Sequence, residues 1–203
     1  MSDFPEHPWC AATLDLMMRP LARVRPKVVG QARGRVLEIG VGTGMNLASY
    51  SGIESLVGVE PDPHMLRRAR ERTEGLPFSV TLEQASAEQL PFADTSFDSV
   101  VMTWVLCTIP QPERALAEAF RVLCPGGRLL FAEHTRAKGN AAASLQDRLT
   151  PLWKRLGGGC HLNRDSVAMI PAAGFEDLAC KPAGRESWTL LPVYRGTALR
   201  PAG

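Results

Sequence analysis

The sequence lacks a long apolar run, since none of its hydrophobic stretches reaches the roughly 18 residues that a membrane-spanning helix needs. Its first residues also lack the basic-then-apolar pattern of a secretory signal. These two absences argue against an integral membrane segment and against secretion. We therefore expect a soluble protein of the cytoplasm.

Cysteine is scarce, and its pattern predicts neither a disulfide framework nor a zinc knuckle. The five cysteines are odd in number and never form Cys-x-x-Cys: Cys10, Cys107, Cys124, Cys160 and Cys180. Cys160 stands beside His161, but adjacent residues do not easily converge on one ion, and no partner pair follows at ligand spacing. We therefore predict reduced thiols and no metal site, with Cys107 and Cys124 packed as small apolar residues.

The chain also lacks a strong excess of charge, with a net charge of +2 over 203 residues. The charge is uneven, because the first 135 residues carry 13 basic and 16 acidic side chains and the remainder carries 10 and 5. No dense basic stripe predicts nucleic-acid binding. The acidic part suits a cationic ligand, and the basic part suits an anionic substrate, peripheral contact with a membrane surface, or ordinary solvation.

What is present is an alternation of apolar runs and helical patterns, which predicts one α/β domain over residues 1–203 with helices on both faces of a parallel sheet. Strands are predicted at about 35–39, 55–60, 78–83, 97–104, 127–133, 175–180 and 190–199. The domain divides into an N-terminal helical cap (1–34), a core (35–134), an insertion (135–174) and the final strands (175–203). In the cap, Leu14, Met17, Met18 and Leu21 follow helical spacing before Pro26 interrupts it.

The insertion is predicted to be mainly helical, with a second helix from about Arg164. It follows the fifth strand and therefore lies above the carboxyl ends of the strands, where open α/β sheets bind ligands. We expect this segment to select the substrate.

Three glycines at alternate positions, Gly40, Gly42 and Gly44, follow the first strand. An adenosyl or dinucleotide ligand lies against bare backbone at such a turn. The nicotinamide fingerprint spaces its last glycine three residues on, which this turn does not do. Glu38 also suits a ligand with a sulfonium and an amino group, so the flanks favour S-adenosyl-L-methionine (SAM). At the end of the next strand, Glu60 can accept both ribose hydroxyls, a role that NAD enzymes share.

Five blocks of residues resemble class I SAM-dependent methyltransferases over about residues 35 to 135. They are LEIGVGTG (37–44), EPD (60–62), AEQLPF (87–92), FDSVV (97–101) and RVLCPGG (121–127). The resemblance implies a Rossmann-like, doubly wound, seven-stranded sheet that is mostly parallel, with the last strand antiparallel. It implies SAM as cofactor, bound by Glu38, Gly40, Gly42, Gly44, Asn46, Glu60, Pro61, Ser86, Ala87, Glu88, Thr103, Trp104 and Val105.

One position departs from that pattern. Many relatives have Gly-Asp where this chain has Ala85-Ser86, and their Asp accepts a hydrogen bond from the adenine amino group. A serine hydroxyl is a weaker acceptor, so we expect backbone groups or Glu88 to compensate.

Three later segments narrow the resemblance to the methyltransferase type 11 group, in the branch that includes thiol S-methyltransferases. They are FAEH (131–134), LTPLWK (149–154) and GGCHLNRD (158–165). The resemblance implies methyl transfer to a small, largely apolar acceptor, with thiol sulfur favoured and phospholipid nitrogen or quinone carbon as alternatives. A SAM-binding protein without catalysis and a nicotinamide oxidoreductase are the remaining alternatives.

Methyl transfer from a sulfonium is an in-line displacement that needs no nucleophile on the enzyme. A thiol has a pKa of about 8.5, so a base or a positive field that favours thiolate helps. His134, at the end of the fifth strand, and His161, in the insertion, are the candidates. Trp104, Trp153 and Trp188 are candidates to line an apolar acceptor pocket.

Overall fold

The computed structural model describes residues 13, 15–16, 18–183 and 190–203. Seven strands form one sheet in the order β3-β2-β1-β4-β5-β7-β6. Their bounds are β1 (Gly34–Ile39), β2 (Ile53–Val59), β3 (Ser79–Glu83), β4 (Phe97–Thr103), β5 (Leu123–His134), β6 (Glu176–Pro182) and β7 (Val193–Leu199). Strands β1 to β5 are parallel, and β7 lies antiparallel to both β5 and β6. The predicted seven-stranded, doubly wound sheet with an antiparallel last strand is confirmed.

Five α-helices accompany the sheet in the described residues: α1 (Arg25–Val29), α2 (Pro63–Glu71), α3 (Pro112–Val122), α4 (Asn140–Leu156) and α5 (Met169–Ala172). Proline stands in the first turn of α2 and α3, where its missing N–H leaves no helical bond unmade. The Asp62 carboxylate caps α2 by accepting hydrogen bonds from the backbone N–H groups of His64 and Met65. Over the described part of the chain, every helix is too short or too polar to cross a bilayer.

Alternate residues of the central strands enter two separate apolar cores, one on each face of the sheet. One core contains Leu37, Val100, Leu129 and Phe131 and lies against α3 and α5. The other contains Val36, Val101, Leu130 and Ala132 and lies against α1 and α2. Because both faces are covered, the central strands are almost continuously apolar, as parallel strands must be. The sheet is therefore a rigid support for the turns and side chains at the carboxyl ends of its strands.

Strand β5 begins four residues earlier than predicted. The sequence pattern placed its start near residue 127, after the Pro125-Gly126-Gly127 turn, whereas Leu123 already pairs with Phe97 on β4. A register shift follows this pair, and the backbone N–H of Gly126 donates to the Arg200 carbonyl. The Pro-Gly-Gly segment thus lies within the strand as an irregularity.

The helix predicted from about Arg164 is wrong in position and length. Residues 164–165 are irregular, residues 166–168 form a turn, and the one-turn helix α5 begins only at Met169. The Arg164 guanidinium donates to the carbonyl of Ile109, and Asp165 accepts from Thr135 Oγ1. Both side chains therefore fasten this segment to the sheet ends.

The predicted N-terminal helices are only partly covered by the described residues, since Leu14 and Met17 lie outside them. A single 3₁₀ turn spans Arg19–Leu21. Pro26 stands in the first turn of α1, so it marks the start of a helix there.

We predict that Gly196→Ala destabilises the protein by about 1–3 kcal/mol. A Cβ at this position of β7 would lie 2.1 Å from the Ala179 carbonyl oxygen and 2.8 Å from Phe131 Cζ, so the sheet would have to shift. Gly139→Ala is the control, since nothing lies within 4 Å of its Cβ position. Urea unfolding followed by circular dichroism measures both variants, and equal stability for the two would contradict the packing argument.

Candidate active site

A cavity of about 590 Å³ opens at the carboxyl ends of the parallel strands. Its wall draws on the turns after β1, β2 and β4, the end of β5, the segment 153–162 and N-terminal residues that include Met18 and Leu21. This volume falls within the range of roughly 300–1,000 Å³ typical of small-molecule sites. The location is the one that open α/β sheets use for ligands.

The three glycines of the turn after β1 all have positive φ, at 72°, 55° and 81°. Gly40 and Gly42 line the cavity. A Cβ on Gly40 would lie 2.5 Å from Val105 Cγ2, and a Cβ on Gly44 would lie 3.0 Å from the Ala69 Cα on α2. Gly44 therefore serves helix packing, whereas Gly40 and Gly42 are the two glycines of the turn that reach the cavity wall.

Glu60, at the end of β2, has its carboxylate buried beside this turn. Its Oε2 accepts from the N–H of Gly42 at 3.0 Å, and its Oε1 accepts from the N–H of Asp62 at 3.0 Å. Burial raises the pKa of Glu60 to about 7, although these two N–H groups lower it. Each oxygen keeps a second lone pair, so the carboxylate can still accept from a ligand hydroxyl.

Glu38 is the centre of a buried hydrogen-bond network at the end of β1. Its two oxygens accept from Asn46 Nδ2 at 2.7 Å and from the Tyr50 hydroxyl at 2.9 Å. The Arg25 guanidinium donates to Asn46 Oδ1 at 2.8 Å and lies over the Trp104 ring at 4.7 Å. Burial raises the pKa of Glu38 to about 7, against the lowering by its two donors and Arg25.

The turn after β4 is held by Glu133 on β5. Glu133 Oε1 accepts from the N–H groups of Val105 at 2.8 Å and Leu106 at 3.1 Å, and burial raises its pKa to about 7. Trp104, in the same turn, has a φ of 56°, which is rare for a bulky residue. Its Nε1 is buried and has no hydrogen-bond partner among the described residues. Strain and an unpaired donor at a cavity wall are typical of functional sites.

Ser86 and Glu88 bind each other. The Ser86 hydroxyl donates to Glu88 Oε2 at 2.6 Å, and the N–H of Glu88 donates back to Ser86 Oγ at 3.2 Å. Glu88 Oε1 also accepts from the N–H of Gln111. Glu88 is thus tied to the turn before α3, and it lines the cavity.

His134 meets a cysteine that the sequence reading did not connect with it. His134 Nε2 lies 3.0 Å from Cys160 Sγ, and Cys107, His134 and Cys160 hold their side-chain ligand atoms within 4.8 Å of one another. The pKa of Cys160 is lowered, chiefly by a hydrogen bond from the Cys107 thiol and then by His134. All three residues line the cavity.

This cluster bears on two expectations. Cys107 is buried as predicted for a small apolar residue, but its sulfur also has polar partners. The sequence argument against ligand spacing considered only neighbours along the chain, and the partners of Cys160 stand 53 and 26 positions away. A signal was present for two of the three residues, since the segments that contain His134 and Cys160 resemble the same branch.

His161, the second predicted catalytic histidine, lies apart from the cavity wall. Its backbone N–H donates to the Cys107 carbonyl at 2.8 Å, and its Nδ1 lies 3.3 Å from the same oxygen. Burial and the charge of Arg164 lower its pKa. The structure therefore places His161 as a group that holds the Cys107 turn.

Most of the predicted residues come together in one place. The cavity wall contains Glu38, Gly40, Gly42, Asn46, Glu60, Pro61, Ala87, Glu88, Thr103, Trp104, Val105, His134 and Trp153. Gly44, Ser86 and His161 do not belong to it, although the structure describes all three. Trp188 lies outside the described residues. The sequence reading missed Cys107 and Cys160 as cavity residues.

The residues present fit SAM. Gly42 lines the cavity, and the carboxylate of Glu60 beside it can still accept from a ligand hydroxyl. A ligand that carries positive charge would favour the ionised form of the buried Glu38 and Glu60 carboxyl groups, so binding of such a ligand and loss of their protons support each other. SAM contains no pyrophosphate, so it does not need the helix N-terminus that binds the pyrophosphate of a dinucleotide cofactor.

Comparison with known proteins agrees with this reading. The methyltransferase-domain family model matches residues 37–131. Thiol S-methyltransferase TMT1A from Homo sapiens is 35% identical over 171 residues, covering 81% of this chain and 70% of that protein. Thiol S-methyltransferase TMT1B from Rattus norvegicus is 35% identical over 147 residues, covering 70% of this chain and 60% of that protein.

Two bacterial proteins extend the comparison. Phosphatidylethanolamine N-methyltransferase from Cereibacter sphaeroides is 42% identical over 113 residues, covering 54% of this chain and 56% of that protein. The crystal structure of a SAM-dependent methyltransferase from Thermotoga maritima superposes with a TM-score of 0.63 at 25% identity, covering 96% of this chain and all of that one. The chain thus spans less than two thirds of the rat and Cereibacter relatives.

We predict that stability falls as pH rises from about 5 to 8, and that Glu38→Gln removes part of this fall. The Glu38 carboxyl has a pKa of about 7 in the folded protein and 4.5 in the unfolded chain, so it binds its proton more tightly in the folded state. Folding therefore becomes less favourable as the pH rises through that window. The part due to Glu38 is on the order of 1–3 kcal/mol. Urea unfolding of ligand-free protein at pH 5 and pH 8 measures it.

Glu71→Gln, on the exposed surface of α2, is the matched control and should unfold with the pH dependence of the unmodified protein. If Glu38→Gln keeps that same dependence, Glu38 is ionised at neutral pH in the folded state and the argument fails.

Proposed function

This chain belongs to the SAM-dependent methyltransferases, and from that premise we propose that it methylates the sulfur of a small, largely apolar thiol. The observation that carries the proposal is the polar cluster of Cys107, His134 and Cys160 in the wall of an otherwise largely apolar cavity. The similarity to the thiol S-methyltransferases supports the choice of sulfur.

The cavity has two ends with different chemistry. At one end, Gly42, Glu60 and Asn46 would hold SAM, with Glu60 accepting from the ribose hydroxyls and residues 85–88 beside the adenine. When bound, SAM supplies an electrophilic methyl group. At the other end, Trp153 and Leu156 of α4 contribute apolar surface beside Cys160. The proposed acceptor pocket thus draws on the insertion 135–174.

The chain's own residues contribute position, exclusion of water and charge. Trp104, Trp153 and Leu156 line the wall with large apolar surfaces, which lower the local dielectric and hold an apolar acceptor in place. His134 holds or releases a proton at Nε2, next to Cys160 Sγ. A protonated imidazole at this point favours the thiolate form of an acceptor, and a neutral one can accept the thiol proton.

A phospholipid amine is the second candidate acceptor, and an apolar helix face favours it. Four leucines of α4 with helical spacing are exposed: Leu145, Leu149, Leu152 and Leu156. Leu156 belongs both to this face and to the cavity wall, so the face leads to the site. The phosphatidylethanolamine N-methyltransferase of Cereibacter sphaeroides, with its 42% identity, supports this alternative.

We predict that Glu60→Ala weakens SAM binding by about 1–3 kcal/mol, or roughly 5- to 150-fold in Kd, because two buried hydroxyls lose their acceptor. Glu60→Gln keeps one acceptor oxygen and should lose less. Isothermal titration calorimetry with SAM measures both, with Glu71→Ala as the surface control. Unchanged affinity in folded Glu60→Ala protein would remove Glu60 from the SAM site.

The acceptor class is tested by the formation of S-adenosylhomocysteine with three acceptors: an alkanethiol, phosphatidylethanolamine in vesicles, and a reduced quinone. We expect kcat/KM for the thiol to exceed the other two by about tenfold or more, and His134→Gln to lower it by about tenfold while SAM affinity stays within twofold. His161→Gln should cost less, because its ring lies outside the cavity wall. A preference for the lipid amine or the quinone overturns the thiol assignment, and no turnover with any acceptor favours a SAM-binding protein without catalysis.

A further inference from the structure

Cys107, His134 and Cys160 form a cluster of three donor atoms that come from three separate segments. Their ligand atoms lie within 4.8 Å of one another, with His134 Nε2 3.0 Å from Cys160 Sγ. Donor atoms around a tetrahedral zinc ion lie about 3.5–3.8 Å apart, given zinc–sulfur bonds of about 2.3 Å and zinc–nitrogen bonds of about 2.0 Å. Side-chain shifts of about an ångström or less would therefore bring the three donors to coordination distance.

Each donor is held in place by its own backbone surroundings. His134 ends β5 and pairs with Val193 of β7. The carbonyl of Cys107 accepts from the backbone N–H of His161, and the N–H of Cys160 donates to the Gly157 carbonyl. The cluster is thus preformed on a sheet end and two fixed turns, as a specific site requires.

The donor set selects a particular class of ion. Two thiolates and one imidazole suit soft or borderline cations such as Zn²⁺ and are poor ligands for Mg²⁺ or Ca²⁺. Two thiolates also neutralise a divalent charge, so burial of the ion adds no net charge to the wall.

All three residues line the cavity, so the side of the cluster that faces it remains open. Zinc sites with three protein ligands and one open position are catalytic in type, whereas structural sites are closed by four. An open position here faces the apolar end of the cavity, beside Trp153 and Leu156.

We propose that Cys107, His134 and Cys160 bind a thiophilic divalent cation of the zinc class, and that its open position takes the sulfur of the acceptor. The first part stands on the cluster alone, and the second rests on the function proposed above. A thiol that coordinates such an ion exchanges its S–H bond for a metal–sulfur bond and releases the proton to water. With the ion bound, the ion rather than the His134 imidazole would hold the acceptor as a thiolate at neutral pH, and the acceptor sulfur would be fixed at the apolar end of the cavity.

The test is titration of the reduced, full-length protein with Co²⁺, followed by competition with Zn²⁺. We expect one equivalent of Co²⁺ to bind, with the visible absorption of a tetrahedral site and thiolate charge-transfer bands in the near ultraviolet, and Zn²⁺ to displace it. Cys160→Ser and His134→Gln should each weaken binding by about 100-fold or more. Cys180→Ser is the matched control, since Cys180 is exposed, lies on β6 and does not line the cavity.

Calorimetry with SAM shows whether each variant is folded. Cys107→Ala removes another of the three proposed metal ligands and serves as an additional test. Absence of stoichiometric Co²⁺ binding, or binding that Cys160→Ser and Cys107→Ala leave unchanged, overturns the metal site. Thiol methylation by metal-free protein at an undiminished rate keeps the proposed function and overturns the role of the ion. Specific metal binding without methylation of any thiol confirms the metal site and overturns the proposed thiol methylation.

Discussion

The buried carboxylate of Glu133 fixes the turn that follows β4, and both ends of the site depend on that turn. By accepting from the N–H groups of Val105 and Leu106, it sets Val105 against Gly40 of the glycine turn. The same turn carries Trp104 towards Arg25 and Cys107 towards Cys160. One carboxylate oxygen on β5 therefore aligns the proposed cofactor end of the cavity with the proposed acceptor end.

Three glutamates with raised pKa values stand at or near the carboxyl ends of three strands: Glu38 on β1, Glu60 after β2 and Glu133 on β5. Parallel strands bring these ends to one edge of the sheet. Each carboxylate is buried and is fixed by hydrogen-bond donors from a neighbouring turn. The edge consequently combines rigid loop anchoring with carboxyl groups whose ionised form a cationic ligand would favour, and both properties come from the same groups.

The sequence was sufficient to predict the fold, and most of the residues that it assigns to the cofactor line one cavity, because both depend on local patterns. The glycine turn and the acidic residue that ends β2 are read from spacing alone, and apolar runs locate the strands. Strand β5 was placed too late because a Pro-Gly-Gly segment ordinarily ends regular structure, and here pairing with β4 overrides it. The helix predicted from Arg164 failed because the contacts of Arg164 and Asp165 with distant carbonyl and hydroxyl groups hold turns in its place.

The proposed acceptor end was harder to predict because its groups meet only in three dimensions. Nothing in the spacing of Cys107, His134 and Cys160 indicates that their side chains converge. His161 looked equivalent to His134 in the sequence, and only the fold separates a residue on the cavity wall from one bound to a carbonyl behind it.

The position of β7 has a consequence for the order in which the molecule assembles. Strand β7 lies between β5 and β6, although β6 precedes it in the chain. During synthesis, β6 has no neighbour to pair with and β5 presents an open edge until residues 193–199 emerge. An open edge of this kind is a template for incorrect pairing. The strand that ends in His134 therefore gains its second neighbour only when β7 pairs with it.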